Sequence, residues 1–134
     1  MEVTAGFDEQ VVRSVMAAET YDLTIDQGAD WFWTLRWKVG SSERNSVNKD
    51  TSGYTARMQV RRLHRDDEIE MELTTENGGI VVGSDGSFQL HATSAQTAQL
   101  IPGKNVYDIE AIDSNGIVTK LVRGTVTAVA EVTR

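Results

Sequence analysis

The sequence has no cysteine, one proline and two histidines, and it carries only 13 basic residues against 20 acidic ones in 134 positions. Without cysteine there is no disulfide framework, no thiolate metal site and no cysteine nucleophile, so the fold rests on packing and backbone hydrogen bonds. The shortage of Lys and Arg leaves a net charge of -7. That balance argues against a nucleic-acid partner, because phosphate-backbone binding draws on clustered cations. No stretch approaches the roughly 18 consecutive apolar residues of a membrane-spanning helix, and no membrane partner is expected. The first residues carry Glu2, Asp8 and Glu9 where a secretory signal would be basic, and they lack a continuous apolar region. The expectation is a mature product of the cytoplasm. By length the chain makes one ordinary domain, large enough to bury a core.

Periodicity divides the chain into a leader, residues 1–19, and a strand-rich domain, residues 20–134. In the leader Phe7, Val11, Val12, Val15 and Met16 recur at three-to-four spacing, which predicts an amphipathic helix over Asp8 to Ala18. So short a helix needs a surface for its apolar stripe, and this domain's own open edge and a neighbouring subunit serve equally well. If the arm is a partner contact, Phe7, Val11 and Val15 carry it.

From Thr20 the period becomes two. Tyr21, Leu23 and Ile25 alternate with Asp22, Thr24 and Asp26, and Trp31, Trp33, Leu35 and Trp37 alternate with Phe32, Thr34, Arg36 and Lys38. Tyr54 to Arg61 and Ile69 to Leu73 read as a hairpin that sets an arginine ladder against the ladder Glu68, Glu70, Glu72. Exposed pairs of that kind contribute only about 0–1 kcal/mol each and act mainly on register. Asn77-Gly78-Gly79, Ser84-Asp85-Gly86 and Ser114-Asn115-Gly116 mark turns. Thr93 to Leu100 suits one or two helical turns with a hydroxyl cap, ended by Pro102-Gly103. Strands follow over Val106–Ile112, Ile117–Val122 and Gly124–Val132, the last expected to be an edge open to another chain. Gly40 to Gly53 is polar and reads as a long surface loop. The pattern is that of an all-β, antiparallel sandwich or barrel of about eight strands with a short helical turn and an N-terminal arm.

Catalysis needs polar groups that converge, and few are in sight. His64 and His91 have no partners at ligand spacing and read as solvated histidines. Asp66, Asp67, Glu68, Glu70 and Glu72 alternate along a strand rather than winding through a calcium loop. Asp113-Ser114-Asn115-Gly116 lacks a downstream bidentate Glu and reads as a turn. No nucleophile elbow, phosphate loop, dinucleotide fingerprint or paired-histidine helix is present. The expectation is a protein that is not an enzyme, with no catalytic residue, no metal and no cofactor. All three Trp fall within seven residues. Trp31, Trp33 and Trp37 share the core face of their strand, and Phe32 points to solvent or to a partner.

Tyr21-Asp22-Leu23-Thr24-Ile25-Asp26-Gln27-Gly28-Ala29, then Leu35-Arg36-Trp37-Lys38 and Gly53-Tyr54-Thr55-Ala56-Arg57-Met58-Gln59-Val60-Arg61, resemble a family of small tailed-bacteriophage virion structural proteins. Gly86-Ser87-Phe88, the turn Ala95–Leu100, Gly103 through Val106-Tyr107-Asp108-Ile109, and Gly124-Thr125-Val126 continue the resemblance over residues 20 to 134. The chain is similar as well to the N-terminal immunoglobulin-like domain of upper baseplate proteins. The loop at residues 40–53 is longer than the family's usual turn, and the leader is extra. The resemblance implies a non-enzymatic immunoglobulin-like sandwich located in the virion, made in the host bacterial cytoplasm. It would be present in several copies at the tail, baseplate or neck, with other virion proteins and copies of itself as partners. A capsid decoration protein and a carbohydrate-binding module stacking sugars on Trp31, Trp33 or Phe32 are the alternatives.

Overall fold

In the computed structural model, which describes residues 3–4, 7–13, 18–40 and 45–133, period-two alternation becomes strand almost wherever it occurs. The first half holds β1 (Val3–Thr4), β2 (Phe7–Arg13), β3 (Glu19–Thr20), β4 (Leu23–Asp26), β5 (Trp31–Val39), β6 (Val47–Asn48) and β7 (Thr55–Arg61). The second holds β8 (Met71–Thr74), β9 (Ile80–Val82), β10 (Ser87–Ala92), the turn α1 (Ser94–Thr97), β11 (Gly103–Ile112) and β12 (Val118–Val129). Two sheets result. One runs β1-β2-β5-β10-β9 with β6 on β5, and the other runs β3-β12-β11-β7-β8 with β4 on β12.

The two inner faces make one core. Trp33, Leu35, Trp37, Ile80, Phe88 and Leu90 from the first sheet meet Leu23, Ile25, Met58, Val60, Leu73, Ile109, Leu121 and Val126 from the second. Burying a side chain of this size stabilises by about 1.5–3 kcal/mol against leaving it in water. The alternation read at the tryptophans therefore holds: Trp33 and Trp37 are buried, Trp31 packs at the core margin, and Phe32 is exposed. At α1, Thr93 caps the turn by accepting from the Gln96 N–H, and the Gln96 side chain accepts from the Thr93 N–H.

The sandwich is all-β, as expected, yet its sheets are mixed rather than antiparallel. β2 runs parallel to β5, and β3 and β4 run parallel to β12. The helix expected over Asp8 to Ala18 is replaced by strand across Phe7–Arg13. Val11 and Val12 are β-branched and stiff at χ1, and the edge of β5 offers backbone donors and acceptors that need partners. Glu9 to Arg13 supplies them in register with Thr34 to Lys38. The leader thus lies on this domain's own edge over those residues, with Val12 in the core.

Three further expectations change. The final segment is one continuous strand, β12, flanked by β11 on one side and by β3 and β4 on the other, so it is interior rather than an open edge. Gly124 interrupts its apolar pattern because the Tyr21 carbonyl lies where a Cβ would stand. The arginine and glutamate ladders do not face each other: Gln59 opposes Glu72, and Arg57 opposes Thr74. Glu70 turns inward, where one carboxylate oxygen accepts from the Ile101 N–H at 2.8 Å. Finally, the polar segment at residues 40–53 is anchored within its own length. β6 folds back on β5, and buried Thr51 donates to the Gly83 carbonyl while accepting from the Gly86 N–H.

Candidate functional site

Strand register brings the outward residues of the first sheet together. On β5, Phe32, Thr34 and Arg36 point away from the core. Across the sheet His91 opposes Phe32, Gln89 opposes Thr34, and Ser87 opposes Arg36. Val81 on β9 extends the Gln89 row, and Val11 on β2 extends the Arg36 row. The backbone beneath is fixed, because Trp33 and Leu35, the residues between these positions, are locked in the core.

At the centre of this face the Phe32 and His91 rings stack, with centroids 4.3 Å apart and planes within 6°. The His91 Nε2 lies 3.4 Å from Asp30, whose other oxygen accepts from the Ser94 N–H at 2.7 Å and so ties the pair to the start of α1. Phe32 is 41% exposed and Val81 59%. With Thr34, Gln89, His91 and Gly78 they border a shallow hollow of about 300 Å³. At the far end of the face Asp85 pairs with Arg36 at 2.9 Å. The Ser87 hydroxyl, bonded to Asp85, does most to hold that carboxyl below its ordinary range; desolvation opposes it, and the Ser87 N–H and Arg36 add to the lowering.

The residues expected to make partner contacts have different fates. Phe32 sits at the centre of the face. Val11 is half-buried on the same side of the sheet, one row beyond Thr34. Phe7 is placed only through its backbone pairing with Thr4 in the β1–β2 hairpin, and Val15 lies outside the described residues. Phe32 and Val11 are therefore brought onto one surface, which joins the leader to the tryptophan strand. His91, Val81 and Gln89 are the members that sequence reading missed. Their alternation was visible, but their place opposite Phe32 and Thr34 depends on inter-strand register. Chemically the face offers an aromatic pair, a branched apolar side chain and amide and hydroxyl donors, a set suited to gripping another surface.

Among the described residues no group of three or more His, Asp or Glu side chains is placed to hold a metal ion. No protein-family model matches the chain, and no curated protein matches it. Of solved structures, the N-terminal domain of phage TP901-1 ORF48 superposes with a TM-score of 0.46 at 12% identity, covering 92% of this chain and 98% of that one. AggA, the major subunit of aggregative adherence fimbriae type I from Escherichia coli, gives a TM-score of 0.28 at 16% identity, over 79% of this chain and 89% of the other. Likenesses at this level fix neither a family nor a role for this chain.

Proposed function

We propose that the chain is a structural protein of a tailed-bacteriophage virion, an adaptor or connector of the tail, baseplate or neck that acts by multivalent protein–protein contacts. Its partners are then other virion proteins and further copies of itself, its work is binding rather than catalysis, and it needs no cofactor. Two things support this reading. The motifs that resemble such virion proteins fall on the framework of the sandwich: Leu23–Asp26 forms β4, Thr55–Arg61 forms β7, and Gly103–Ile109 runs along β11. The observation that carries the contact role is the exposed Phe32–His91–Val81 face, held on strands whose alternate residues are core. Aromatic and branched apolar side chains fixed in water on a rigid sheet are what an assembly contact desolvates, and an aromatic anchor at the centre of such a contact contributes about 2 kcal/mol or more.

Mass spectrometry of separated tails and heads from purified particles tests the reading. We expect the protein in tail or neck fractions. Its absence from particles would overturn the proposal, and its recovery only from heads would favour the decoration role instead. A carbohydrate-binding role would depend on Phe32 or on partly buried Trp31, since Trp33 is only 5% exposed. Saturable glycan binding that is lost in Phe32→Ala without unfolding would replace adaptor by lectin-like module.

A further inference from the structure

The outer face of the second sheet is built of charge. Register across β7, β11 and β12 aligns Arg57 with Glu110 and Lys120, Gln59 with Asp108 and Arg123, and Arg61 with Val106 and Thr125. The first two rows and Arg61 border a concavity of about 390 Å³, to whose rim His64 belongs. Four cations stand here against two carboxylates, in a chain whose net charge is -7.

The two carboxylates are already engaged. Glu110 accepts from Arg57 and from Lys120, the latter at 2.6 Å, and Lys120 also reaches Asp108 at 3.0 Å. Two guanidinium groups on this face, those of Arg61 and Arg123, make no ion pair with a described carboxylate. Arg61 donates to neutral oxygens, the Asp66 carbonyl and the Gln59 side chain. Arg123 is exposed on β12. They lie two strands apart, on the order of 10 Å at the usual inter-strand spacing.

We propose that this concavity docks an acidic segment of a partner protein, with one carboxylate at Arg61 and a second at Arg123, across Val106 and beside the neutralised Arg57–Glu110–Lys120 row. Charge complementarity selects the occupant. The remainder of the molecule is acidic and repels such a segment, so the field steers it to this one face. A nucleic-acid strand fits poorly, because a continuous run of phosphates would meet both Asp108 and Glu110, whereas a segment with two discrete carboxylates needs only Arg61 and Arg123. The surface lies on the sheet opposite Phe32, and the proposal does not depend on the virion reading.

The test titrates the 134-residue chain with an acetylated hexaglutamate peptide at low salt and follows backbone amide shifts. We expect saturable binding with shifts centred on Arg61, Val106 and Arg123, weakening steeply as added salt screens the contact. Arg61→Gln with Arg123→Gln should weaken binding by about tenfold, while Phe32→Ser leaves it unchanged. Because Arg61 also holds the turn after β7, Arg123→Gln alone serves as a second variant, with a loss of about threefold at unchanged Tm. Absence of saturation, equal affinity in both variants, or tighter binding of a decathymidylate oligonucleotide than of the peptide would each overturn the proposal.

Discussion

The outer faces of the two sheets share one pleat and one core, and they differ in what they leave in water. The β5–β10–β9 face leaves apolar area exposed at Phe32 and Val81 and fixes its aromatic pair through Asp30. The β7–β11–β12 face satisfies its own carboxylates and leaves the charge of Arg61 and Arg123. Apolar exposure favours close, dry contact, whereas the cations of Arg61 and Arg123 favour steering and choice of partner. A protein with both surfaces can be guided by one sheet and held by the other. The sandwich puts the two on opposite sides of the molecule, with its sheets roughly 10 Å apart between them.

The largest effect should come from the core that both faces share. Phe88→Ala removes a fully buried ring facing the second sheet and should destabilise by about 3–5 kcal/mol in urea unfolding, weakening both faces together. Loss of only one face in that variant would show the sheets to be less coupled than the common core implies. Glu110→Gln comes next and bears on the charged face alone. Burial pushes the Glu110 carboxyl up, but the hydrogen bonds from Lys120 and Arg57 together outweigh burial and hold it below its ordinary value of 4.5. A carboxyl with a depressed folded pKa stabilises above its unfolded pKa and loses that contribution as pH falls through the folded value. The variant should therefore be about 1–2 kcal/mol less stable at pH 7, with the gap from the parent closing as pH drops below 4.5. A gap that persists in acid would break this account.

Tyr107→Phe removes the phenol that donates to the Tyr21 carbonyl at 2.6 Å beneath the same face. Burial, reinforced by Asp22, pushes that phenol well above its ordinary range, so it stays a donor at every practical pH. The expected cost is about 1 kcal/mol, independent of pH between 5 and 9 as read by thermal melts. The smallest effect on stability should be that of Phe32→Ser, about 0.5 kcal/mol or less, because the ring is 41% exposed. A larger loss would mean that the aromatic face serves the fold rather than a partner.

Much of the fold is legible in the residues because period two is a local signal. The tryptophan strand, the outward Phe32, the capped turn at Thr93 and the glycine turns can all be read one segment at a time. What escapes is set by distant neighbours. Phe7, Val11, Val12, Val15 and Met16 satisfy a helical spacing, yet the open edge of β5 recruits Phe7–Arg13 as a parallel strand. Glu70 looks like one rung of a solvated ladder until the Ile101 N–H, 31 residues away, claims it. The candidate faces follow the same rule. Phe32 is readable alone, whereas His91 beside it and Arg123 opposite Asp108 emerge only from register.

The most direct test of the central claim, that the Phe32 face makes the assembly contact, is incorporation of Phe32→Ser protein into particles. Quantitative mass spectrometry of purified tails would be read beside a melt of the isolated variant. We expect incorporation to fall at least about tenfold at an unchanged Tm, the loss of one aromatic anchor. Full incorporation of the folded variant would contradict the claim and move the contact elsewhere on the molecule.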